Sequence, residues 1–107
     1  MKYRVTDFLP QEEILAQLAE EAAELSQAAL KLRRVMDGKN PTPTGYAMAV
    51  KNLTEEFADV TLCADLISCI DYNKVNEIRS WKMPRWIGRL LNARREEDAA
   101  KSHHNRQ

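Results

Sequence analysis

Apolar residues recur at three-to-four spacing through the first third of the chain, at Ile14, Leu18, Leu25, Ala28, Leu32 and Val35. That period marks one buried stripe on an α-helix. Pro10 followed by Gln11-Glu12-Glu13 starts the helix, with acids in the first turn where the helix dipole favours them, and Asp37-Gly38 ends it after about Met36. The segment "GKNPTPTG", with two prolines and two glycines, cannot continue a helix and reads as a loop. A second helix is predicted from about Tyr46 to Ile70, where "DYN" breaks or bends the chain. A third starts near Lys74, meets Pro84 partway and resumes through "RWIGRLLNARREEDAA". No window alternates with period two, so strands are not expected. The expected fold is all-α: an antiparallel helical hairpin plus a kinked third helix, forming a bundle on oligomerisation. One domain is predicted over residues 1–101. The end of the chain, 102–107, reads as a frayed, disordered tail that includes His103-His104.

Acids interrupt this pattern. Stepping from Leu18 to Leu25, the position that completes the first helix's seam is Glu21. Glu24 lies just to its side one turn along, and Glu20 points nearly opposite. Charge on a buried stripe costs several kcal/mol unless it is paired or bound to a metal. The second helix repeats the anomaly. One stripe, Tyr46, Val50, Leu53, Phe57, Val60, Ala64 and Ile67, suits a core. Another, Asn52, Glu56, Asp59, Cys63 and Leu66, begins polar and ends apolar, leaving Thr54, Ala58, Thr61 and Asp65 for solvent. In an antiparallel hairpin Glu24 and Glu56 are nearly equidistant from the loop, as are Glu21 and Asp59. At about 1.5 Å rise per residue, all four stand about 20 Å from the turn. Glu-x-x-Glu then faces Glu-x-x-Asp, each pair sharing one helix face. Four carboxylates at one level repel unless cations intervene, and all-oxygen ligation points to Mg²⁺, with Mn²⁺ as a substitute.

Lysines and arginines number 16, as do aspartates and glutamates, so the chain lacks the overall basic charge of a nucleic-acid binder. The balance conceals a split. Residues 1–71 carry 7 basic and 12 acidic side chains, net −5, and residues 72–107 carry 9 and 4, net +5. Such halves either hold an anion through metal ions or simply attract each other. Cys63 and Cys69 lack a zinc-site pattern and are expected to be reduced core thiols of a cytoplasmic protein. No run is long and apolar enough for a bilayer span, so no membrane partner is expected. A chain of 107 residues buries only about two thirds of its surface alone, which favours a homodimer or homotetramer.

"EEAAE" at residues 20–24 followed by "EFAD" at 56–59 resembles the E-E-x-x-E then E-x-x-D signature of the all-α nucleoside triphosphate pyrophosphohydrolases. That superfamily includes MazG-like proteins, dimeric dUTPases, dCTP pyrophosphatases and phosphoribosyl-ATP pyrophosphatase. The resemblance covers residues 11 to about 70. The separation of its two halves, residues 25–55, is long for compact members, and the loop within it could reach over a substrate. The resemblance implies Glu21, Glu24, Glu56 and Asp59 as metal ligands, with Glu20 and Glu21 as catalytic carboxylates. Glu20 would be an outer partner or an aid to positioning water. It further implies Mg²⁺-dependent conversion of a (d)NTP to the (d)NMP and pyrophosphate, by attack of activated water at the α-phosphorus, in nucleotide-pool house-cleaning.

On the third helix Lys82, Arg85 and Arg89 share a face and read either as phosphate contacts or as a solvated basic face. Lys31, Arg33 and Arg34 read as surface charges. Trp81, Trp86 and Tyr46 are candidate stacking surfaces for a base, and Asn52, one turn before Glu56, is a candidate substrate contact. A ferritin-like di-metal site needs Glu-x-x-His pairs, and both histidines lie in the tail. The remaining alternative is a non-enzymatic helical oligomerisation module, which leaves the acids on buried stripes unexplained.

Overall fold

The computed structural model describes residues 2–38 and 45–105. A 3₁₀ turn at Val5–Asp7 precedes three helices, α1 (Gln11–Asp37), α2 (Tyr46–Asp65) and α3 (Tyr72–Asn105), and no strand occurs among the described residues. Of the loop expected over residues 38–45, residues 39–44 lie outside them. Two compact units divide the chain, Met1–Ile70 and Asp71–Gln107.

The first unit is the α1–α2 hairpin. Pro10 stands at the N-cap of α1 in an extended conformation, and Glu12 and Glu13 occupy the first turn. Gly38 stops the helix with φ 70°, and its N–H donates to the Arg34 carbonyl at 3.0 Å. A left-handed residue at this position is the common way to end a helix, and glycine adopts it without a Cβ penalty.

Burial follows a heptad on both helices. On α1, Ile14 and Ala28 are buried and Leu18, Glu21, Leu25, Leu32 and Val35 half-buried. On α2, Ala49 and Cys63 are buried, Leu53, Glu56 and Val60 half-buried, and the spacing continues to buried Ile67 beyond the helix end. Alternating steps of four and three keep one seam against the partner helix. The α2 seam runs between the two stripes anticipated from sequence and takes residues from each. Tyr46 (56 % exposed) and Phe57 (58 % exposed) therefore lie off the interface, contrary to the expected core stripe. Thr54, Ala58, Thr61 and Asp65 face solvent as expected. The hydroxyls of Thr54 and Thr61 donate to the carbonyls of Val50 (2.8 Å) and Ala58 (3.0 Å).

α2 ends at Asp65, five residues short of expectation. The chain tightens there, with Leu66 N–H donating to the Cys63 carbonyl and Ile67 N–H to the Ala64 carbonyl. Gln11 meets the chain at this end. Its Nε2 donates to the Leu66 carbonyl at 3.0 Å, while its Oε1 accepts from Ser68 N–H at 2.9 Å and from Ser68 Oγ at 3.2 Å. One side chain in the first turn of α1 thus satisfies backbone groups freed at the end of α2, across 55 to 57 residues of sequence. These bonds also fix the antiparallel order.

The second unit is α3. Asp71 Oδ1 accepts from Asn73 N–H (2.9 Å) and Lys74 N–H (3.4 Å), which starts the helix two residues before the expected Lys74. The helix passes through Pro84 without interruption and continues to Asn105, past the point where a frayed tail was expected. Pro84 has no N–H for the Ser80 carbonyl one turn earlier. Among the described residues no helix is long and apolar enough to cross a membrane.

Replacing Gln11 with Ala removes all three hydrogen bonds and leaves the Leu66 carbonyl and Ser68 N–H without that partner. Urea unfolding followed by circular dichroism is expected to show a loss of about 1–3 kcal/mol. An unchanged midpoint would mean that water replaces the clasp at no cost.

Candidate functional site

Glu21 and Glu56 occupy seam positions, one on each helix, where the heptad calls for apolar side chains. Both are half-buried. Gln17 Nε2 donates to Glu21 Oε1 at 2.8 Å. Glu21 Oε2 and Glu56 Oε2 are each buried with no hydrogen-bond partner. Exposed Glu24 joins them, so that one carboxylate oxygen from each of the three residues lies within 4.8 Å of the others. At such separations two carboxylates repel by about 1 kcal/mol in water and several-fold more where protein shields them. No ion pair among the described residues involves any of the three.

The donor set tests what such a cluster can hold. It offers oxygen only, it carries three negative charges, and two of its oxygens are withdrawn from water and unpartnered. A buried anionic oxygen needs a donor or a cation, and hard divalent ions accept this ligation. The residues present fit Mg²⁺ or Mn²⁺.

The other expected carboxylates stand apart from this group. Asp59 is exposed and outside the triad, although its charge reaches Cys63. Glu20 is exposed, as its place on the helix wheel required. Burial pushes the Cys63 thiol up from its ordinary value, with the Glu21 and then the Asp59 charges adding to the rise. The raised value keeps Cys63 protonated and inert at neutral pH. Any stability linked to that thiol is present below its unfolded-state value and lost as alkaline pH passes the folded one. Cys69 is exposed, not the core thiol expected.

A cleft of about 280 Å³ opens beside the triad on the side nearer the loop. Glu24 and Glu56 border it, Asn52 lines it as the sequence indicated, and Ala28 and Ala49 form its floor. Gln27 and Lys31 complete the lining. Gln27 was not singled out from sequence, and Lys31 was read as a plain surface charge. Their positions three and seven residues after Glu24, along one helical face, were the available signal.

On α3, Lys82, Arg85 and Arg89 line one groove of about 240 Å³ together with Trp86. The Arg85 guanidinium lies 5.7 Å from the Trp81 ring centroid. Trp81 therefore supports an arginine in a cation–π contact, and Trp86 is the indole in the groove. Tyr46, in the first turn of α2, is not among the side chains lining the acidic cleft.

No protein family, curated protein or solved structure matches this chain.

Glu56→Gln retains the side chain's shape, removes one charge and gives Glu21 Oε2 a possible N–H donor. The metal-free melting temperature is expected to rise, by about 4–8 °C for each kcal/mol of relieved repulsion. A lower melting temperature in chelator would show that the carboxylates are not in conflict.

Proposed function

We propose that this chain is an Mg²⁺-dependent nucleoside triphosphate pyrophosphohydrolase of the MazG-like all-α type, converting a (d)NTP to the (d)NMP and pyrophosphate. The observation that carries this reading is the pair of buried, unpartnered carboxylate oxygens, Glu21 Oε2 and Glu56 Oε2, converging with Glu24 from two helices. An isolated acidic cluster on a solvated surface needs no ion; this one has oxygens that water does not reach.

Glu21, Glu24 and Glu56 would hold the cation, with Asp59 one helical turn from Glu56. A bound Mg²⁺ lowers the pKa of water and neutralises phosphate charge. The protein's own part is to orient. Gln17 holds one oxygen of Glu21 and leaves the other, buried, without a partner. A carboxylate of the group accepts the proton of the water that attacks the α-phosphorus, with Glu20 in the outer shell. The groove lined by Lys82, Arg85 and Arg89 offers charge-assisted contacts suited to phosphate oxygens. House-cleaning of the nucleotide pool is the corresponding role.

A second reading, a helical interaction module, draws on the exposed apolar side chains. Met48, Phe57 and Leu62 on α2 are 52–61 % exposed, and Trp86 and Leu90 on α3 are 61 % and 58 % exposed. These fit a homo-oligomer as well, so assembly and catalysis are compatible.

Pyrophosphate release measured across the nucleoside triphosphates, with and without Mg²⁺, tests the reading. Glu56→Gln is expected to lower Mg²⁺-dependent release by about 100-fold or more, and Asp59→Asn, outside the triad, by about 10- to 100-fold, the range of an outer-sphere partner. Full activity in both variants, or none in the wild type with any triphosphate, overturns it.

Arg85→Ala tests the α3 groove separately. If the groove holds phosphates, triphosphate affinity should fall more than monophosphate affinity, with little change in stability. Equal losses would assign the groove to a solvated face or a subunit contact.

A further inference from the structure

The cleft beside the carboxylates has features that a phosphate site would not. Its floor is two methyl groups, Ala28 (7 % exposed) and Ala49 (2 % exposed), which occupy seam positions on the two helices. Small residues on both sides leave room where Leu pairs would close the seam. Above that floor stand two carboxamides, Gln27 and half-buried Asn52, and one ammonium, Lys31. Glu24 and Glu56 border the same space, so its formal charge is net negative. With those carboxylates engaged by the cation proposed above, the rest of the lining is one ammonium, two carboxamides and two methyls, which suits a neutral polar ring better than a polyanion. At about 280 Å³ the space falls just below the usual range for pockets that hold whole small molecules. It suits one ring, not a complete nucleoside triphosphate.

We infer that this cleft receives the nucleobase of the substrate and selects bases with a lactam edge, a ring carbonyl beside a ring N–H, as in uracil, thymine, guanine and hypoxanthine. This rests on the nucleotide reading above. Each carboxamide offers a donor and an acceptor side by side, the complement of a C(=O)–N–H edge. Lys31 sharpens the choice because an ammonium only donates. It pairs with a ring carbonyl oxygen but opposes the exocyclic amino group that cytosine and adenine carry at the corresponding position. The two alanine methyls meet the flat ring, and the nearby carboxylates favour its N–H side. A site built to hydrogen-bond one edge rejects a ligand that leaves its polar groups unpaired.

The test separates base recognition from catalysis. Wild type and Lys31→Met are titrated in Mg²⁺ with uridine, guanosine, cytidine and adenosine 5′-monophosphates and with ribose 5-phosphate, which lacks a base. Pyrophosphate release from the matching triphosphates is measured in parallel. Wild type is expected to bind the uridine and guanosine nucleotides most tightly. Lys31→Met should weaken those two by roughly 10- to 100-fold, the range of a charge-assisted hydrogen bond, and leave ribose 5-phosphate within about two-fold. Equal weakening of every ligand, ribose 5-phosphate included, would place Lys31 on phosphate and overturn the inference. So would an absence of base preference in the wild type. Base-selective binding without pyrophosphate release would uphold the cleft and refute the activity; release without base preference would do the reverse.

Discussion

The hairpin is held together along a seam that it does not fill with apolar side chains. Glu21 and Glu56 take places in the α1–α2 heptads that Leu or Ile would otherwise fill, and Ala28 and Ala49 take two more. Only five apolar residues, Ile14, Ala28, Ala49, Cys63 and Ile67, are buried among those described, none of them completely. Burial of a large apolar side chain contributes about 1.5–3 kcal/mol, so exchanging several of them for acids and alanines leaves a thin margin. Three of these four positions, Ala28, Ala49 and Glu56, line one cleft with a charged wall. Functional sites are where local rules of packing are expected to fail.

The same arrangement governs the neighbouring chemistry. Cys63, next in the α2 seam but one after Glu56, feels both desolvation and nearby negative charge, and is held as a thiol. Gln17 reaches one turn along α1 to occupy a single oxygen of Glu21, which orients the other. Charge on the two units is segregated, with the basic excess on residues 72–107. On α3 that excess is ordered: three cations share a groove, and Trp81 supports one of them.

Much of this was legible from periodicity. The three helices, the solvent face of α2 and the intrusion of Glu21 and Glu56 into buried stripes all follow from spacing, because the 3.6-residue repeat dictates which side chains share a face. The level alignment of Glu24 with Glu56 followed from counting residues back from the turn, since helical rise is nearly constant. What spacing could not supply was the choice between two adjacent stripes on α2. That choice depends on which partner face is available, and the structure set the seam between them, leaving Tyr46 and Phe57 outside. The Gln11 contacts at the end of α2 were equally hidden, because their partners lie more than fifty residues apart in sequence. Lys31, read as a surface charge, is indeed exposed, and spacing alone gave no sign that it also borders a cleft.

Gln11 bears on motion as well as on stability. The connection through residues 38–45 joins α1 and α2 at one end, and the Gln11 hydrogen bonds to Leu66 and Ser68 join them at the other. Two helices tied at one end separate most easily at the other, and a tie there opposes that separation. The carboxylates lie between these supports. Splaying of the two helices would separate Glu21 from Glu56, so the Gln11 bonds oppose the motion that takes the three carboxylates apart.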